Sequence, residues 1–175
     1  MNKYAVLIPI VPLLVAANVP SSPDLGKAEA KCRPGETGPA LLVTVAGLKD
    51  RRGNIKLEVY PSNDKDFLQD DNVLINEGKT FRRVEVPVPA TDPVVLCARI
   101  PGPGAYSVSV LHDRDGNRRF GWTVDGIGFS GNPRLGWSKP KAEKARVIAG
   151  AGLTRLTVVM NYRHGLGVAP LKQDR

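Results

Sequence analysis

Apolar and polar residues alternate with period two in stretch after stretch of this chain, with turn-forming residues between the stretches. Successive side chains of a strand point to opposite faces, so this alternation predicts strands with one face buried. Leu41, Val43 and Val45 alternate with Leu42 and Thr44; Ile55, Leu57 and Val59 alternate with Lys56, Glu58 and Tyr60. Val84, Val86 and Val88 follow, with Pro87 among them, which marks an edge strand or a frayed end because proline donates no ladder hydrogen bond. Further strands are predicted over 94–100, at Tyr106-Val108-Val110, at Ala145-Val147-Ala149 and at Leu156-Val158-Met160. One short helix is predicted over 64–70, capped by Asn63 or Asp64. About seven strands with no long helix between them predict antiparallel pairing, since parallel neighbours need long crossovers. The fold class is therefore all-β, an antiparallel β-sandwich, with a small barrel as the other closed solution. The 18 glycines and 15 prolines suit such a chain of strands and turns.

The 175 residues suit one domain, predicted over 40–163. Residues 1–17 read as an export leader: Lys3, an apolar run from Ala5 to Ala17 too short to span a bilayer, and a small-residue cleavage site after Ala17. The alternative is an uncleaved anchor. Residues 18–39, broken by prolines and glycines, read as a flexible lead-in, and 164–175 as a polar tail. The protein is thus expected in the periplasm or the medium, with no membrane span once the leader is removed. Cys32 and Cys97 agree with this, since two cysteines in an oxidising compartment usually pair. Free thiols or a metal pair are the alternatives, the latter disfavoured by the absence of a CxxC or an adjacent His.

The net charge is +8, of which only Lys3 lies in the leader, leaving +7. Such a balance favours anionic partners: an envelope component or an acidic polysaccharide. The 6% aromatic content shows no basic-aromatic platform for single-stranded nucleic acid, so no specific nucleic-acid binding is expected.

The turn and strand from Pro101 to Val110, PGPGAYSVSV, resemble the PxGxYxVxV element of transthyretin-like and carboxypeptidase-regulatory β-sandwich domains. His112-Asp113-Arg114-Asp115-Gly116-Asn117, then Gly126-Ile127-Gly128-Phe129-Ser130, resemble the bacterial exported family called domain of unknown function 2141. That family carries an HDxNxNG-type loop, a GxGFS stretch and a closing strand ending in Tyr, here Tyr162. The resemblance spans 40–163 and implies an exported β-sandwich with no established activity.

The loop has chemistry of its own. Asp113, Asp115 and Asn117 put oxygen ligands at alternate positions, as a calcium loop begins, and Asp125 offers a later carboxylate at a non-standard spacing. Against this, Arg118 stands where the family commonly has Gly, Gly121 where it often has Asp, and Arg114, Arg118 and Arg119 bring positive charge. The competing reading is a tight connection whose Asx side chains bond their own backbone. A cofactor is accordingly not required, with calcium as the candidate.

Gly128-Phe129-Ser130-Gly131-Asn132 fails the GxSxG pattern at its last position, and His112 has no evident nucleophile, so no catalytic residue is assigned and the chain is expected not to be an enzyme. Trp122 and Trp137, with His112, Arg118 and Arg119, are the candidate ligand contacts, because a loop Trp can stack on a sugar ring. The leading expectation is a non-catalytic envelope or extracellular module. The alternatives are a calcium-stabilised carbohydrate- or polyanion-binding protein, and a hydrolase using His112.

Overall fold

The structure, a computed structural model, describes residues 18–171. The predicted leader and its cleavage site lie outside the described residues. The chain runs α1 (Lys27–Ala30), β1 (Ala40–Ala46), β2 (Asn54–Pro61), α2 (Asp71–Asn76), β3 (Arg82–Pro87), β4 (Val94–Arg99), β5 (Gly104–Asp113) and β6 (Gly126–Phe129). A 3-10 turn (Ala142–Ala145), β7 (Arg146–Ala149), β8 (Leu153–Val159), β9 (Asn161–His164) and β10 (Gly167–Pro170) complete it.

Two sheets face each other. The smaller has the order β4-β1-β8; the larger runs β10-β9-β6-β5-β2-β3, with β7 pairing β5. The alternating residues meet between them. Leu41, Val43 and Val45 of β1 pack against Ile55, Leu57 and Val59 of β2 and Val108 and Val110 of β5, closed by Val158, Met160 and Tyr162. All are buried. The strand carrying Pro87 is an edge, as its proline requires.

Four elements depart from the sequence expectation. The β1–β8 pair is parallel, while every other ladder is antiparallel. No helical crossover is needed, because the whole intervening chain serves as the connection. The helix sits at 71–76 rather than 64–70. Asn63 does start a turn, accepting from Asp66 N–H at 3.0 Å, but Leu68 takes φ of +63° and breaks the helical path; the chain restarts behind Asp70 and buries Leu74. With α1 this makes two short helices instead of one. Residues 126–129, where the alternation predicts no strand, form β6. The polar tail begins with the hairpin β9–β10.

The larger sheet is covered on its outer side too. Ser107 and Ser109 of β5, the polar partners in the alternation, are buried there. Ser107 donates to the Ala142 carbonyl at 2.7 Å. A second apolar cluster forms over this face from Tyr60, Phe67, Leu74, Phe81, Phe129 and Ala145. Segment 18–39 starts along the same layer, where Leu25 packs, and then crosses to the smaller sheet, where Lys31 bridges Ala98 of β4. Arg83 donates to the Ser22 carbonyl and pairs with Asp71 and Glu58, Ser21 donates to Asp71, and the disulfide Cys32–Cys97 ties the segment to β4. No helix of the described residues is long and apolar enough to cross a membrane.

Candidate functional site

Strands β5 and β6 are antiparallel neighbours with His112 opposite Gly126. One step further along that register, Asp113 faces Asp125 across the mouth of the loop. Directly opposed residues of an antiparallel pair have their Cβ atoms about 4.5–5.5 Å apart. The hairpin thus brings together two carboxyls twelve positions apart in sequence. Asp115 joins them, and ligand oxygens of Asp113, Asp115 and Asp125 lie within 4.8 Å of one another.

The three differ in how they are held. Asp125 is buried; its Oδ1 accepts from Arg114 N–H and its Oδ2 from Gly121 N–H, both at 2.8 Å. Asp113 is 1% exposed. Its Oδ2 accepts from Arg118 N–H at 2.9 Å, whereas its Oδ1 is buried with no partner. Burial, reinforced by the neighbouring Asp125 and Asp115 carboxyls, pushes the Asp113 carboxyl above its ordinary value. Asp115 is exposed and accepts from the Asn117 backbone and side-chain amides. The Asn117 amide oxygen turns instead to Arg119 N–H at 2.7 Å, making an Asx turn beside the cluster. Arg118 follows in the left-handed region, φ +66°, the conformation that a glycine at this place would adopt without strain.

The three arginines of the loop do not bear on the cluster equally. The Arg114 guanidinium grips Asp50 and holds its carboxyl below the usual range, while Nη1 donates to the Val124 carbonyl at 2.7 Å. Arg118 pairs with Glu85. Arg119 is exposed.

His112 is fully buried and faces inward. Its Nε2 lies 2.8 Å from the Arg52 carbonyl and must donate, because that carbonyl can only accept. Nδ1 of the neutral ring then accepts from the Tyr162 hydroxyl at 2.6 Å, which itself accepts from Lys49 N–H at 3.0 Å. Burial lowers the His112 pKa and pushes that of Tyr162 up to about 12, so the relay is neutral at pH 7. Tyr162 lies over Gly126, where a Cβ would come within 2.3 Å of its ring; that close approach accounts for the first glycine of the GxGFS stretch. Ser130 donates to the Ala145 carbonyl and does not meet His112.

The chain belongs to the bacterial family described as uncharacterized protein conserved in bacteria (DUF2141). The family model matches residues 43–157, from β1 to β8. No match was found among curated proteins or among solved structures. The matched span of this DUF2141 protein contains the three-aspartate loop, the buried His112 and the GxGFS strand.

Trp122 and Trp137 both line a groove of about 790 Å³ between the 120–137 segment and the hairpin β9–β10. Phe120, Leu166 and Val168 add apolar surface to its walls. Trp137 is 84% exposed and Leu166 74%. Arg163 stacks on the Trp122 ring at 4.8 Å, Arg134 lines the groove, and no carboxylate does among the described residues. A second hollow of about 330 Å³ shares Phe120, Leu135, Trp137 and Val168 with it and reaches Lys139. Of the five candidate ligand contacts, only the two tryptophans come together here. Arg118 and Arg119 line a separate depression beside Glu85 and Asp71, and His112 lies in the interior. The hairpin wall and Arg163 carry little sequence signal because the segment after Tyr162 lacks a long alternation, its apolar residues Leu166, Val168, Ala169 and Leu171 being broken up by Gly165, Gly167 and Pro170.

Proposed function

We propose that this DUF2141 protein is an exported, non-catalytic binding module that takes an anionic saccharide in the groove between Trp122 and Trp137. The observation that carries this reading is the clustering of exposed aromatic and aliphatic side chains in one concave site. Large apolar patches of this kind mark interaction surfaces, and a volume of several hundred Å³ is the size of small-ligand sites. Exposed Trp rings offer flat faces for the C–H faces of sugars. Arg134 and Arg163, in a chain of net charge +8, supply the complement for carboxylate or sulfate groups on such a ligand. The disulfide and the export leader expected at residues 1–17 support a site outside the cytoplasm.

A non-catalytic role is supported by the state of His112. Both ring nitrogens are engaged and the ring has no face to solvent, so no substrate reaches it without opening the sandwich. The test is retention on an immobilised acidic polysaccharide across a salt series. Retention that falls with salt and is lost in Trp137→Ala supports the reading. Unchanged retention in Trp137→Ala would place binding on the general basic surface and overturn it; binding of a neutral amphiphile alone would make the groove an apolar-ligand site.

A further inference from the structure

We propose that Asp113, Asp115 and Asp125 form a calcium-binding site at the mouth of the β5–β6 loop. The site lies apart from the groove and stands without it. Three carboxyls gathered at a loop would not carry this alone, since exposed acids cluster without any ion. The decisive observation is the Asp113 side chain. It is 1% exposed, and its Oδ1 finds no donor in a structure where the other carboxylate oxygens of the buried Asp113 and Asp125 each take a backbone N–H. A buried acceptor without a partner is costly, and native structures rarely leave one. This oxygen lies in the same carboxyl that faces Asp115 and Asp125. A cation there supplies the missing partner and relieves the repulsion among three like charges.

The donor set favours calcium. Two oxygens bound to one Ca²⁺ at about 2.4 Å can be at most about 4.8 Å apart, and the three ligand oxygens lie within 4.8 Å of one another. Mg²⁺ demands near-ideal octahedral geometry and gives up its waters reluctantly, whereas Ca²⁺ takes about six to eight oxygen ligands in flexible geometry and suits an irregular cluster such as this one. Two of the three neighbouring arginines are engaged elsewhere, Arg114 with Asp50 and Arg118 with Glu85, and Arg119 is exposed to solvent. Asn117 contributes no oxygen, its amide oxygen being used on Arg119 N–H. Three protein carboxylates, one of them exposed, leave the remaining positions to water or main-chain oxygen. That places the affinity with extracellular modules, a Kd of roughly 10⁻⁴–10⁻³ M.

The test is thermal unfolding of the purified protein, stripped with EDTA, against CaCl₂ and against MgCl₂. At 10 mM calcium the midpoint should rise by about 3–10 °C, with a smaller rise in magnesium. Asp113→Asn should melt at or above the wild-type apo protein, because its amide can donate to the neighbouring carboxyls, and should lose the calcium shift. Asp115→Asn, a change at an exposed side chain, should fold normally and weaken the shift, a check that does not depend on the buried variant. The proposal is overturned if the wild-type midpoint is indifferent to calcium. A shift that persists in both variants also overturns it, since the ion would then bind elsewhere.

Discussion

Tyr162 shows how much one side chain can hold together. Its hydroxyl donates to His112 and accepts from Lys49 N–H, so it joins β9, the end of β5 and the β1–β2 turn in one neutral relay. Tyr162→Phe keeps the packing and removes both bonds. It leaves His112 Nδ1 buried without a donor, and a loss of about 1–3 kcal/mol is expected from denaturant unfolding. An unchanged midpoint would mean that water replaces the hydroxyl. At this scale the sequence was only partly legible. Asp113, Asp115 and Asp125 were recognisable as oxygen ligands, but their convergence was not. The twelve-position spacing of Asp113 and Asp125 matches no calcium loop; it follows from hairpin register, and register is visible only once β6 is known to be a strand.

Strand β6 was hidden because Gly-Ile-Gly-Phe has little intrinsic strand preference. Its glycines serve packing instead. A Cβ at Gly126 would meet the Tyr162 ring at 2.3 Å, and one at Gly128 would meet Val158 at 2.6 Å. Gly126→Ala must therefore push β9 away from the sheet, at a cost of about 1–3 kcal/mol or more. Gly136→Ala, with nothing within 4 Å of the added methyl, is the control and should melt as the wild type does. Equal midpoints for the two variants would contradict the packing account. The strands with clean alternation were the legible ones: Leu41 to Val45, Ile55 to Val59 and Tyr106 to Val110 all put their apolar residues into the core. The outer cover of Ser107 and Ser109 was not legible, because it depends on distant segments around Phe67 and Ala142 folding back over the sheet.

For the whole molecule, the two-sheet architecture followed from the repeated alternation, and the parallel β1–β8 pair did not. A parallel neighbour so far along the chain leaves no local sequence signal. The prolines and glycines of 18–39 predict a flexible lead-in; in the structure the polar contacts of Arg83 and the disulfide join it to the sandwich. The bridge closes a loop across a sequence separation of 65. Chain entropy assigns such a closure about 4 kcal/mol. The double variant Cys32→Ser, Cys97→Ser should lose stability of that order and expose 18–39 to proteolysis, while the core melts in a single transition. Loss of all cooperative unfolding would show that the sandwich depends on the tether more deeply than its packed core suggests.

The claim that the groove is the binding site is tested most directly by tryptophan fluorescence. The protein has two tryptophans, and both line the groove. Titrating a soluble acidic oligosaccharide should change their emission saturably, with a midpoint that weakens as salt rises, and Trp137→Ala should weaken binding at least tenfold without altering the unfolding midpoint. A titration with no saturable change, or full affinity in Trp137→Ala, would contradict the assignment of the groove as the saccharide site.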